Sequence, residues 1–194
     1  MVHFGASRIP ARLLVSALLL VMACGLSSCG DGGESGPAAE GGVVPDQEIN
    51  GFTLTQTNDG RSVWSLTAQL ALVFEEADRI ESTRPRIEFF DDEGESRSVL
   101  TAKSGLLKRR TNDMEVSGSV VVTSTDGTVL RTEHLTWDER RGKISTEMPV
   151  RITKDGDVMT GTGAEADPDL GNLRILADFK AYVRSADGEL VEEE

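Results

Sequence analysis

Met114-Glu115-Val116-Ser117-Gly118-Ser119-Val120-Val121-Val122 is the stretch that decides the fold. Met114, Val116, Val120 and Val122 share one parity with Gly118 between them, while Glu115, Ser117 and Ser119 hold the other. A period of two with one apolar side marks a strand with one buried face, because successive side chains of a pleated chain point to opposite sides. The same code recurs downstream. Ile144, Met148, Val150 and Ile152 share a parity, and so do Ile175, Ala177, Phe179, Ala181 and Val183. Mostly polar residues alternate with them, among them Ser145, Glu147, Arg151, Asp178, Lys180 and Arg184. Val116, Val120, Val122, Met148, Val150, Ile152 and Phe179 are therefore expected to face the interior. Upstream the code slips: Ile80 and the Ile87/Phe89 pair differ in parity, which predicts a bulge or bend near Thr83-Arg84-Pro85. Leu66 to Glu76 is the best helix candidate, yet Leu66, Ala68, Leu70, Leu72 and Phe74 alternate better than they spiral.

The rows are punctuated at near-regular intervals. Asn58-Asp59-Gly60, Asp92-Glu93-Gly94, Thr125-Asp126-Gly127, Lys154-Asp155-Gly156 and Ala186-Asp187-Gly188 place their glycines 34, 33, 29 and 32 residues apart. Asp-Gly is a strong hairpin signal, since a type I′ turn needs positive φ at both central positions. The chain therefore reads as about four units of ~30 residues, each of two to four short strands, after a lead-in strand at Glu48 to Thr57. Propeller blades run to ~40–45 residues, so these units are too short for that fold. Parallel β-helix rungs are an alternative, but hairpin turns between alternating runs favour antiparallel pairing. The expected fold class is all-β: an open, twisted antiparallel β-jelly-roll of ~30-residue repeats over residues 46–185, followed by an acidic tail at 186–194.

The amino terminus carries a different signal. Arg8 and Arg12 precede a nearly continuous apolar or small run from Leu13 to Gly25. That run is shorter than the ~18–20 residues a bilayer span needs and suits a signal-peptide core. Leu26-Ser27-Ser28-Cys29 follows and resembles the bacterial lipobox, so residues 1–28 are expected to be removed and Cys29 to receive lipid. Cys24 is a rival site, and an uncleaved signal anchor is the alternative. Gly30 to Val44 holds six glycines in fifteen residues. Residues 29–45 thus read as a lipidated cysteine and flexible tether, with a root-mean-square reach of roughly 20 Å.

Composition excludes several functions. The net charge of −13 becomes −15 once Arg8 and Arg12 leave with the signal. Such a chain repels phosphate backbones, which argues against nucleic-acid binding. Beyond Cys29 there is no cysteine, hence no disulfide framework and no Cys-ligated metal. His134 is the one histidine outside the signal, no nucleophile-elbow motif exists, and the EF-hand ligand pattern is absent. Acid pairs such as Glu75-Glu76 and Asp138-Glu139 flank turns and read as solvated charge. Gly161-Thr162-Gly163 reads as a close-packed strand or bulge. Trp64 and Trp137 are either core packing or the lining of a ligand groove. No catalytic residue, metal or cofactor is expected.

Leu130-Arg131-Thr132-Glu133-His134-Leu135-Thr136-Trp137-Asp138, then Met148-Pro149-Val150-Arg151-Ile152, then Gly161-Thr162-Gly163-Ala164-Glu165-Ala166-Asp167, resembles the periplasmic jelly-roll family of lipopolysaccharide export. The likeness is to the LptC type, with the LptA/OstA bridge proteins as cousins. Asn50-Gly51-Phe52-Thr53-Leu54 and Trp64-Ser65-Leu66-Thr67-Ala68 resemble the start of the LptC type, and the whole covers residues 46–184. The resemblance implies an apolar groove for lipid A acyl chains, with lipopolysaccharide as ligand. It implies docking of the amino-terminal edge, near Phe52 and Leu54, to a periplasmic domain of the export ABC transporter. The carboxy-terminal edge, near Tyr182 and Val183, would meet an LptA-like bridge protein. Many members keep a transmembrane helix, whereas this chain carries a lipidation signal, so the expected location is the periplasmic face of the inner membrane through a lipid anchor. A structural β-repeat lipoprotein that transfers no lipid is the alternative.

Overall fold

The computed structural model describes residues 44–184 and 190–193. The expected signal, Cys29 and all but the last two residues of the expected tether lie outside them. The described strands are β1 (Gln47–Asn58), β2 (Arg61–Phe74), β3 (Arg79–Thr83), β4 (Arg86–Phe90), β5 (Ser96–Thr101), β6 (Ser104–Lys108), β7 (Met114–Ser124), β8 (Val129–Asp138), β9 (Lys143–Lys154), β10 (Asp157–Ala166), β11 (Arg174–Arg184) and β12 (Leu190–Glu193).

All are antiparallel in one sheet. β3 and β4 pair with successive parts of β2, through Leu70↔Thr83 and Thr67↔Arg86, so they are one long strand bent at Arg84-Pro85. β5 and β6 are likewise one strand bent at Ala102-Lys103, since both pair with β7. The topology thus reduces to a meander in which each long strand bonds its sequence neighbours. The units are pairs of long bent strands, where short ones were expected. In a meander alternate turns fall at the same end. The turns at Asp59-Gly60, Gly94, Asp126-Gly127 and Asp155-Gly156 therefore share one end, and the segments 75–78, 109–113, 139–142 and 167–173 share the other.

A crease crosses the strands midway. Its backbone signature is positive φ inside strands or at their breaks: 66° at Gly51, 52° at Arg84, 82° and 50° at Gly118 and Ser119, 71° at Gly163 and 53° at Asp178. The predicted irregularity at Thr83–Pro85 is one station on this line. Hydrogen bonds carry the ladder through it: Arg84 N donates to Lys103 O at 2.9 Å, and Lys103 N to Gly118 O at 3.0 Å. Glycine suits position 118, since its φ is one that L side chains rarely adopt and a Cβ there would lie 3.0 Å from the Lys103 side chain.

The crease divides the sheet into two arms that fold on each other around one apolar cluster running from Trp64 to Leu170. The contacts between arms are staggered along the chain. Trp64 Nε1 donates to Glu139 Oε2 at 3.0 Å. The Phe89 and Trp137 rings lie 5.0 Å apart at 55°. Ser98 Oγ donates to Pro168 O at 2.6 Å, beside the buried Leu170. The first strands thus face the turns of much later ones.

Candidate functional site

The interior is the first candidate, and most of the expected row lines it. Val116, Val120, Val122, Val150 and Ile152 are buried, in register with core neighbours such as Leu130, which lies opposite Val122 and Ile152. Two members correct the expectation. Met148 is 42% exposed and Phe179 59% exposed. At Met148 the β8–β9 ladder is interrupted: Pro149 offers no N–H, and the Met148 N–H turns to Thr146 Oγ1 at 3.1 Å. At Phe179 the core has ended. The strand bulges at Asp178, and the apolar cluster reaches no further along β11 than the partly buried Ile175. Parity places a side chain on a face, but burial needs a second layer opposite that face.

The expected terminal edge is also corrected. Leu190–Glu193 forms β12 where a tail was expected, so Tyr182 pairs with Glu192 and Val183 with Val191. Tyr182 also faces Val158 on β10, which makes it an interior position of the sheet. The stretch of β11 that β12 leaves uncovered is Arg174 to Lys180. At the other end β1 bonds β2 along its whole length, and Phe52 and Leu54 are half-buried opposite Ala68 and Leu66. The outer side of this twelve-residue strand is an open edge among the described residues.

The closed interior is tightly packed around its apolar rows. Two voids among its core residues hold about 10 Å³ and about 0 Å³, at most the volume of a single water. A cross-arm seal is made by Glu139, an acid whose turn setting in the sequence is that of a solvated charge. Glu139 Oε2 accepts both indoles, from Trp64 at 3.0 Å and from Trp137 at 2.9 Å, and Asp113 Oδ1 holds the Glu139 N–H at 3.1 Å. The local pattern of Asp138-Glu139 resembles a turn charge, because only Trp137 is a near neighbour, while Trp64 and Asp113 come from distant parts of the chain.

Two openings lie where the β8–β9 ladder fails between Arg131/Arg151 and Thr136/Ser145. A cleft of about 610 Å³ passes there from the outer face, at Val121, Arg131 and Arg151, to the buried Val120 and Val150. Thr132 Oγ1 bridges the gap by donating to Pro149 O at 3.0 Å. A second cleft of about 350 Å³ adjoins it across Met148 and is edged by the exposed Leu176. Ion pairs elsewhere tie turn to turn. The Lys154 ammonium lies 2.8 Å from Asp126 and holds that carboxyl far below the usual range, and Lys143 does the same, less strongly, for Asp167. Among the described residues no group of three or more His, Cys, Asp or Glu is placed to hold a metal. No helix among them is long and apolar enough to cross a membrane.

No curated protein matches the sequence. Among solved structures, the chain is similar to the crystal structure of LptH from Pseudomonas aeruginosa, described as the LptA-homologous periplasmic component of the lipopolysaccharide transport device. The TM-score is 0.49 at 10% identity, over 68% of this chain and 94% of that one. The family described as lipopolysaccharide-assembly, LptC-related, matches residues 14–184. That span takes in the crease, both arms and the clefts, so the chain belongs to the LptC-related family and its role lies in lipopolysaccharide transport.

Proposed function

We propose that this chain is a non-enzymatic periplasmic subunit that accepts lipopolysaccharide from an ABC transporter and passes it through its interior to an LptA-like jelly-roll. The observation that carries this reading is the continuous apolar cluster from Trp64 to Leu170, enclosed by two arms of one creased sheet. An interior with no spare volume admits an acyl chain when its arms part, and cross-arm contacts such as Trp64–Glu139 and Ser98–Pro168 are what must yield. Val116, Val120, Val122, Val150 and Ile152 then become the wall that the chain touches. The open edge of β1, near Phe52 and Leu54, is the surface for the transporter's periplasmic domain. At the far end β12 and the uncovered part of β11 present backbone groups to the bridge protein, with Phe179 as an apolar contact. In this reading Cys29 carries acyl chains that hold the protein at the periplasmic face of the inner membrane. Two or more chains are needed, since one anchors only reversibly.

The two tryptophans of the chain, Trp64 and Trp137, both sit at the seal. Titration with lipopolysaccharide should therefore shift tryptophan emission to longer wavelength and saturate. A flat titration, with no lipid captured by a photo-crosslinker at Phe52, would leave a scaffold without lipid transfer as the reading. Mass spectrometry of the native amino terminus tests the anchor, and an unmodified Cys29 removes it.

A further inference from the structure

We infer that the gap between β8 and β9 is a side port for a phosphorylated, acylated lipid, with Arg131 and Arg151 holding a phosphate on the outer face while an acyl chain enters past Met148. The inference rests on the lipid-carrier reading above and adds to it a place of entry and the lipid group recognised there.

Three observations carry it. First, Arg131 and Arg151 are direct cross-strand neighbours, both exposed. Like charges directly opposite each other in a sheet are destabilising. Neither has an ion-pair or hydrogen-bond partner among the described residues. In a chain of net charge −13, two unneutralised cations set side by side form a local exception that the fold does not need. Second, the pair stands at the end of the interrupted ladder, on the rim of the 610 Å³ cleft. Cross-strand neighbours have Cα atoms roughly 4.5–5.5 Å apart, so two guanidinium forks can close on one phosphate. Third, the cleft changes character with depth. Its rim is Arg131, Arg151, Ser119 and Glu133, and its floor is Val120 and Val150, which belong to the apolar cluster. Glu133 is the one acid on the rim, and its Oε2 is held by the Ser119 N–H at 3.1 Å. Met148 stands 42% exposed between this cleft and its neighbour, an apolar side chain at the lip of an apolar opening. Charge at the rim, hydrocarbon at the floor and a continuous path between them match the two ends of one amphiphile.

The test uses the full chain with bisphosphorylated lipid A, the same lipid with its phosphates removed, and inorganic pyrophosphate. R131Q/R151Q should weaken binding of the phosphorylated lipid about ten-fold or more and leave the dephosphorylated lipid nearly unchanged, while R131K/R151K, which keeps the charges and loses the forks, should fall between that variant and the native protein. A photo-crosslinker at Met148 should capture the phosphorylated lipid. Equal weakening of both lipids by R131Q/R151Q, or displacement of lipid by pyrophosphate at matching concentration, would overturn the port. Capture from Phe52 with none from Met148 would overturn the port and leave the carrier reading standing, whereas capture from neither removes both. Unchanged far-ultraviolet circular dichroism and tryptophan emission of the variants confirm that folding is not the cause.

Discussion

Strands β2 to β10 and strand β11 are written in the same alternating code, yet they bury it to very different degrees. In the first region Trp64, Leu66, Ile87, Leu100, Val120, Val122 and Leu130 are all at most 2% exposed. In the second, Phe179 is 59% exposed and no position from Arg174 to Arg184 is buried; Met148 on β9, at the break in the β8–β9 ladder, is the local exception at 42%. The hydrophobic residues are no weaker there. What differs is the layer opposite, because the stagger that brings Trp64 over Glu139 and Ser98 over Pro168 leaves β11 facing no later arm. The closed part holds the fold together, and the half-open end leaves its apolar row uncovered.

The comparison breaks most sharply at its aromatic residues. Trp64→Ala should cost about 3–5 kcal/mol in urea unfolding, the range for deleting a buried ring, whereas Phe179→Ala should stay within about 0.5 kcal/mol. A large loss at Phe179 would mean that β11 is covered after all. Within β9, Val150→Asp should cost about 3 kcal/mol or more by burying a carboxylate, while Arg151→Asp one position on should be nearly neutral for stability. At the seal, Glu139→Leu leaves two indole N–H groups without an acceptor, at about 1–3 kcal/mol each, and Glu139→Gln retains an acceptor and costs less. Denaturation midpoints of the three Glu139 forms should rank Glu, Gln, Leu.

The smallest effect sits on the surface. Lys154 depresses the Asp126 carboxyl, so its ion pair stabilises the fold fully above the unfolded carboxylate value of about 3.9 and loses that contribution as pH falls toward the lower folded value. Asp126→Asn should flatten the decline in Tm between about pH 4 and pH 2, and added salt should shrink the difference between the two proteins. An unchanged slope would show that the turns act independently.

Much of the closed half is legible in the chain. The parity of Met114 to Val122, the clash of parity at Ile80 and Ile87, and the spacing of the Asp-Gly turns dictate strands, bend and meander through local stereochemistry. The half-open region is less legible because its features are relational. Phe179 obeys its row and stays exposed, since no residue near it encodes the missing arm. Met148 leaves the wall through the lack of an N–H at Pro149 combined with a gap that forms only when β8 lies beside it. Glu139 looks like any turn acid until Trp64, 75 residues away, reaches it. β12 is foreshadowed by the hairpin signal of Ala186-Asp187-Gly188, which calls for a strand beyond it, but the acids at 192–194 carry the signature of a solvated tail.

The turn spacing has a consequence for length. Each pair of Asp-Gly turns encloses two bent strands, and each strand advances the roll by ~4.8 Å. Some 32 residues therefore extend the roll by about 10 Å, and the chain acts as its own ruler, graduated at the Asp-Gly turns at one end of the meander. Deleting or duplicating one graduation changes the distance over which the interior runs by one such step, and it also re-pairs the cross-arm contacts, which join residues 70 and 75 positions apart. The span between the two ends is thus an inherited integer, set by how many hairpins the gene repeats.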